Sequence, residues 1–124
     1  MPRVKNDSSK YKNVKTAVGD KVFDSKLEAQ RYVELREQEQ SGWITGLRTQ
    51  VRYTLIPSQM RDDGSREAPC SYIADFVYHD RFGHEVVEDT KGYVTDAYVI
   101  KRKLMLEKYG ITIKQINLKK EKKK

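Results

Sequence analysis

Two short apolar stretches joined by a turn constrain this chain more than any other part of it. Tyr72-Ile73-Ala74-Asp75-Phe76-Val77-Tyr78 and Val86-Val87-Glu88-Asp89-Thr90-Lys91-Gly92 are rich in the β-branched and aromatic residues that favour strands. Asp80, Arg81, Phe82 and Gly83 supply turn chemistry between them, so the pair reads as a hairpin. Each strand carries an acid among apolar neighbours, Asp75 in the first and Asp89 in the second. A charge on a half-buried strand is seldom there without a use. Alternation puts Val87, Asp89 and Lys91 on one face, and Val86, Glu88 and Thr90 on the other. A register that sets Asp75 opposite Asp89, and Tyr78 opposite Val86, brings Asp75, Asp89 and Lys91 to one face. Opposed Cβ atoms would then lie roughly 5 Å apart. A slip of one residue would oppose Asp75 to Glu88 and reverse the faces. The first register is the expectation, and under it Glu88 looks away from the acids.

A third acid comes from a helix. Ser25 followed by Glu28 is a capping-box pattern, and the helix it opens runs to about Gln40, where Ser41-Gly42 stops it. Leu27, Ala29, Tyr32, Val33 and Leu35 form a broad apolar arc with Glu28 near its centre. Glu28 therefore either ties up a backbone donor or looks inward towards Asp75 and Asp89, and the two readings are compatible.

The remaining pattern completes a small fold. Gly19-Asp20 turns the chain into an extended Lys21-Val22-Phe23. Trp43 to Leu47 reads as a connector with a buried anchor, and Arg48 to Ile56 alternates as a strand ended by Pro57. Asp62-Asp63-Gly64-Ser65 lacks the spacing of a calcium loop and reads as a plain hairpin loop. A second helix is capped by Thr95 or Asp96 and ends before Gly110, with Ala97, Ile100, Leu104 and Glu107 as its stripe, joined by Val99 and Leu106. Ile111 to Ile116 alternates as a last strand. Helix, three antiparallel strands, helix, strand is an α/β (α+β) order, a mixed central sheet flanked by helices.

At 124 residues the chain holds one domain. It has no apolar run long enough for a membrane span, and its polar N-terminus lacks a signal-peptide pattern. The lone Cys70 fits a reducing, cytoplasmic setting. The net charge of +7 is uneven: residues 1–15 carry +4, residues 119–124 another +4, and the stretch between them −1. Residues 1–9 are expected to be a disordered arm, 10–117 the folded domain, and 118–124 a lysine tail. Positive ends favour a polyanion such as nucleic acid, although basic tails also serve solubility.

Three carboxylates and a lysine converging from separate elements suit a hard divalent cation, because oxygen donors bind Mg²⁺ while leaving it free to meet phosphate. In this order the acids resemble the PD-(D/E)XK nuclease superfamily. The phrases YKNVKT, FDSKLEAQRYVEL, YIADFVY and VVEDTKG are similar to a family of small phage and prophage proteins within it, over about residues 10–117. The resemblance implies a restriction-endonuclease-like core and Mg²⁺- or Mn²⁺-dependent hydrolysis of DNA. Asp75 and Asp89 would be metal ligands together with the Thr90 main-chain carbonyl, Lys91 the catalytic lysine, and Glu28 the helix acid that completes the site. Two departures stand out: Ala74 replaces the proline before Asp75, and aspartate replaces the commoner glutamate at 89. A phage setting points to branched DNA such as a Holliday junction, and paired cuts there imply a homodimer. Lys12, Lys15, Gln50, Tyr98, Lys101 and Lys103 are the candidate DNA contacts, while His79 and His84 read as surface residues of the turn. The alternative is a nucleic-acid-binding protein without catalysis.

Overall fold

The computed structural model describes residues 15–117, so the arm at 1–9, Lys12 and the tail at 118–124 lie outside the described residues. A two-stranded hairpin comes first, β1 (Thr16–Val18) with β2 (Lys21–Phe23), turning at Gly19. Helix α1 (Lys26–Gln40) follows, then β3 (Thr45–Ile56), a small hairpin of β4 (Gln59–Met60) and β5 (Arg66–Glu67), and β6 (Cys70–His79). Strand β7 (Glu85–Lys91), helix α2 (Asp96–Tyr109) and β8 (Lys114–Asn117) complete the chain. The main sheet has the order β3-β6-β7-β8, with β7 and β8 parallel and the other neighbours antiparallel. The mixed α+β architecture expected from the sequence is the one found.

Strand β6 lies at the centre because it can bury both faces. Phe76, Val77 and Tyr78 are all buried in succession. Phe76 and Tyr78 pack with Phe23, Ala29, Tyr32 and Leu35 under α1, whereas Val77 packs with Leu55, Val87, Tyr98 and Met105 under α2. Two helices thus sandwich the sheet and bury both faces of its inner strands around Phe76–Tyr78 and Val87–Asp89.

The hairpin register is the expected one: Phe76 faces Glu88, Val77 faces Val87 and Tyr78 faces Val86. On the N-terminal side of Phe76 the alternation breaks. Tyr72 and Ala74 share a core with Val77, although strict alternation would put them on opposite faces. The break falls at Asp75. On the neighbouring strand Thr49 pairs with Phe76 and Val51 with Ala74, and Gln50 between them has φ 54°. Among the described residues it is the only non-glycine in the left-handed region.

Several local expectations change. Trp43 is 52% exposed and stacks under the Arg81 guanidinium, so the buried anchor of that connector is Ile44. Helix α2 buries Tyr98 and Met105 rather than a stripe through Ile100, which is exposed along with Leu106. Strand β8 begins at Lys114, three residues later than the alternation implied. The caps are as read: Ser25 accepts from the Glu28 N–H, Thr95 accepts from the Tyr98 N–H, and Gly110 adopts φ 69° after α2.

Candidate active site

Glu28 stands in the first turn of α1, and its N–H is held by the Ser25 cap. The capping box is one-sided, because the Glu28 side chain goes inward. It is 6% exposed, and its Oε2 accepts from Gln50 Nε2 at 2.9 Å. Burial, with Asp75 adjacent, pushes its carboxyl up to about 8. Asp75 stands where the sheet alternation breaks, close enough to both Glu28 and Asp89 to raise their carboxyls. Its Oδ2 accepts from the Thr90 N–H at 2.9 Å and the Thr90 hydroxyl at 2.8 Å. Thr90, expected to offer its carbonyl to a metal, therefore meets the cluster through its amide and hydroxyl.

Asp89 is buried on the α2 face of β7. Burial and the neighbouring Asp75 raise its carboxyl to about 6, against the opposing pull of Lys91. Lys91 Nζ approaches Asp89 Oδ2 to 2.9 Å, so the ammonium is the partner of this buried oxygen. The same ammonium lies 4.3 Å from the centre of the Tyr98 ring. Glu28, Asp75, Asp89 and Lys91 thus form one continuous row across α1, β6 and β7.

Glu88, one residue from Asp89, points to the other face and is fully buried. Arg31 clasps it with two hydrogen bonds, at 2.8 and 2.7 Å, and the Tyr78 hydroxyl donates to the same carboxylate. Lys114 Nζ stands 3.9 Å away. Neither Arg31 nor Tyr78 stood out in the sequence as a partner for this acid.

The other candidates are scattered. Lys15 pairs with Asp24 at 3.0 Å, and Gln50 is bonded to Glu28. Tyr98 is buried, its hydroxyl without a hydrogen-bond partner, and serves as the floor beneath Lys91. Lys101 lines a cleft with Lys91, and Lys103 is exposed on α2. His79 and His84 are exposed near the turn, as read.

A family model described as "Protein of unknown function (DUF1064)" matches residues 8–123. The chain belongs to the DUF1064 family. No curated protein and no solved structure matches it. Among the described residues of this DUF1064 protein, no three carboxylate, imidazole or thiol groups are already drawn together as a metal cage. Asp75 neighbours both Glu28 and Asp89, and all three acids act on one another's charge. Their chemistry still fits a hard cation. The donors are all oxygens, and burial with Asp75 alongside holds Glu28 towards its neutral form, a cost that a cation among the acids would relieve.

Proposed function

We propose that this chain is a metal-dependent phosphodiester hydrolase that cuts DNA. The observation that carries the reading is the row of Glu28, Asp75 and Asp89 ending on the Lys91 ammonium, assembled from three elements far apart in sequence. The order of these residues is the one that resembles PD-(D/E)XK nucleases.

Asp75, Asp89 and Glu28 would hold Mg²⁺ or Mn²⁺. When bound, such an ion polarises a phosphoryl oxygen and lowers the pKa of an attacking water. The side chains contribute the rest. Gln50 fixes which way the Glu28 carboxyl faces. Thr90 immobilises Asp75 with two hydrogen bonds, so its carboxylate is set before any ligand arrives. Lys91 presents its ammonium at the end of the row, beside Asp89 and above Tyr98, where it meets charge growing on a phosphate.

The test is cleavage of linear, nicked and four-way-branched DNA with Mg²⁺ or Mn²⁺, comparing wild type with Asp75→Ala and Lys91→Ala. Metal-dependent cutting lost in both variants, with binding retained, supports the reading. Intact DNA in every lane with either ion overturns it. Binding without cutting would leave a nucleic-acid-binding protein. A preference for the branched substrate would support junction resolution, which needs two symmetric cuts and hence a dimer measurable by sedimentation.

A further inference from the structure

Two clefts flank the carboxylate row, and they differ in charge. On one side Lys21, Asp24, Glu28 and Gln50 border a cavity of about 310 Å³. On the other, a cleft of about 550 Å³ starts at Lys91 and extends past Arg52, Ile73, Tyr98 and Lys101. Three cations and no acid line this second cleft among the described residues. Salt bridges occupy other arginines of the sheet and α1, with Arg31 on Glu88 and Arg48 near Glu85.

The walls ask for acceptors. Tyr72 and Tyr98 are 4% and 5% exposed and both line the cleft; the Tyr72 hydroxyl lies towards Asp89 and the Tyr98 hydroxyl towards Arg102, and neither closes a full hydrogen bond there. A buried hydroxyl without a partner is costly unless something else supplies one. The ligand is therefore an anion rich in acceptor oxygens. The volume far exceeds that of one phosphate, and Ile73, 43% exposed, adds apolar surface suited to a sugar or base.

We infer that this cleft seats the nucleic-acid strand beside the reacting phosphate, with Arg52 and Lys101 gripping a neighbouring phosphate and the Tyr72 and Tyr98 hydroxyls donating to the strand. The inference rests on the proposed hydrolase reading for its substrate class, and it fixes the side of the row along which the strand runs. Asp89 and Lys91 would then stand between the metal side and the strand side.

Two measurements on the full chain test it. The first is steady-state cleavage of fluorescein-labelled DNA with Mg²⁺ by wild type, Arg52→Ala, Lys101→Ala, Tyr98→Phe, and Lys108→Ala as a charge control away from the cleft. The second is binding of the same DNA in EDTA over a series of salt concentrations. Arg52→Ala and Lys101→Ala should each raise KM by about tenfold with kcat within about twofold, and lower the salt slope by about one. Tyr98→Phe should raise KM without loss of folding, because its hydroxyl closes no full hydrogen bond within the protein. Lys108→Ala should match wild type. Inorganic phosphate at millimolar concentration should leave the DNA bound; displacement would mark a small-anion site and overturn the strand assignment. If wild type cuts DNA but the cleft variants keep its KM and salt slope, the inference falls while the hydrolase reading stands. If wild type binds but never cuts, and the slope falls as stated, the cleft stands and the hydrolase reading falls. Absence of DNA binding by wild type overturns both.

Discussion

Arg31 on α1 grips Glu88 on β7 through two parallel hydrogen bonds, Nε to Oε1 at 2.8 Å and Nη2 to Oε2 at 2.7 Å. Glu88 has no solvent exposure, and its neighbour Asp89 belongs to the candidate site on the opposite face. Arg31 lies less than one helical turn after Glu28. The pair therefore fastens the helix carrying one site acid to the strand carrying another.

Breaking this pair strands a buried charge, which is far costlier than removing both partners. Glu88→Leu or Arg31→Met alone should lower unfolding stability by roughly 3–5 kcal/mol. The double variant Arg31→Met/Glu88→Leu should recover much of that loss. Urea denaturation of the three variants measures it, and additive losses in the double variant would show that the two residues act independently. Cleavage by the double variant, if retained, should have a lower kcat, because Glu28 loses the anchor that sets its helix.

The crowded acids make the metal-free protein sensitive to pH, and the sign is fixed by the direction of the shifts. Glu28 is raised from 4.5 to about 8, so the folded state keeps a proton that the unfolded chain releases. Its contribution is complete below about pH 4.5 and disappears as pH climbs through about 8. Asp89 acts in the same sense, from 3.8 to about 6. The Tm in EDTA should fall by about 5 °C or more between pH 5 and pH 8, within the range a few kcal/mol produces in a domain of this size. Mg²⁺ should raise Tm more at pH 8 than at pH 5, because only ionised carboxylates bind it. Glu28→Gln should flatten the alkaline part of the profile. A level profile in EDTA would contradict the crowding.

Asp75→Asn separates stability from function. The amide oxygen can still accept from the Thr90 N–H and hydroxyl, but the charge that presses on both Glu28 and Asp89 is gone. The variant should melt a few degrees above wild type at pH 8 in EDTA and lose the Mg²⁺-dependent rise in Tm. Cleavage should fall by at least about 100-fold, the scale on which one preorganised catalytic group acts. A variant less stable than wild type would show that Asp75 holds the fold rather than burdening it.

How far the site could be read from the residues follows from the geometry of each element. The register of β6 with β7 was legible because turn chemistry and alternation agreed on it. Glu28 was legible because an acid at the centre of an apolar arc has few places to go but inward. Glu88 was placed on the correct face but without its role, since alternation cannot reveal that α1 covers that face with an arginine. Helix α2 misled because its apolar residues lie on every side, so spacing could not choose Tyr98 and Met105 over Ile100 and Leu106. The connector's buried anchor was legible, but not that it would be Ile44 rather than the larger Trp43, which stays exposed with Arg81 4.3 Å from its ring centre. Gln50 was legible as a strand residue near the site, but its backbone was not, since a left-handed conformation is ordinarily marked by glycine or asparagine.

That last residue allows the most discriminating test of the site. Gln50 keeps φ 54° at a cost of roughly 1–2 kcal/mol relative to a relaxed conformation, and its amide meets Glu28 across from the break in β6. Gln50→Gly removes the strain and the amide together, whereas Gln50→Ala removes only the amide. The glycine variant should therefore be the more stable of the two by about 1 kcal/mol, less whatever glycine adds to the entropy of the unfolded chain. Both should lose cleavage alike, because both leave the Glu28 carboxyl without the donor that orients it. Equal loss of activity with unequal Tm would assign the amide to the site and the backbone strain to its placement. If the glycine variant cuts DNA as well as wild type, Gln50 does not orient Glu28, and the bond between them is incidental.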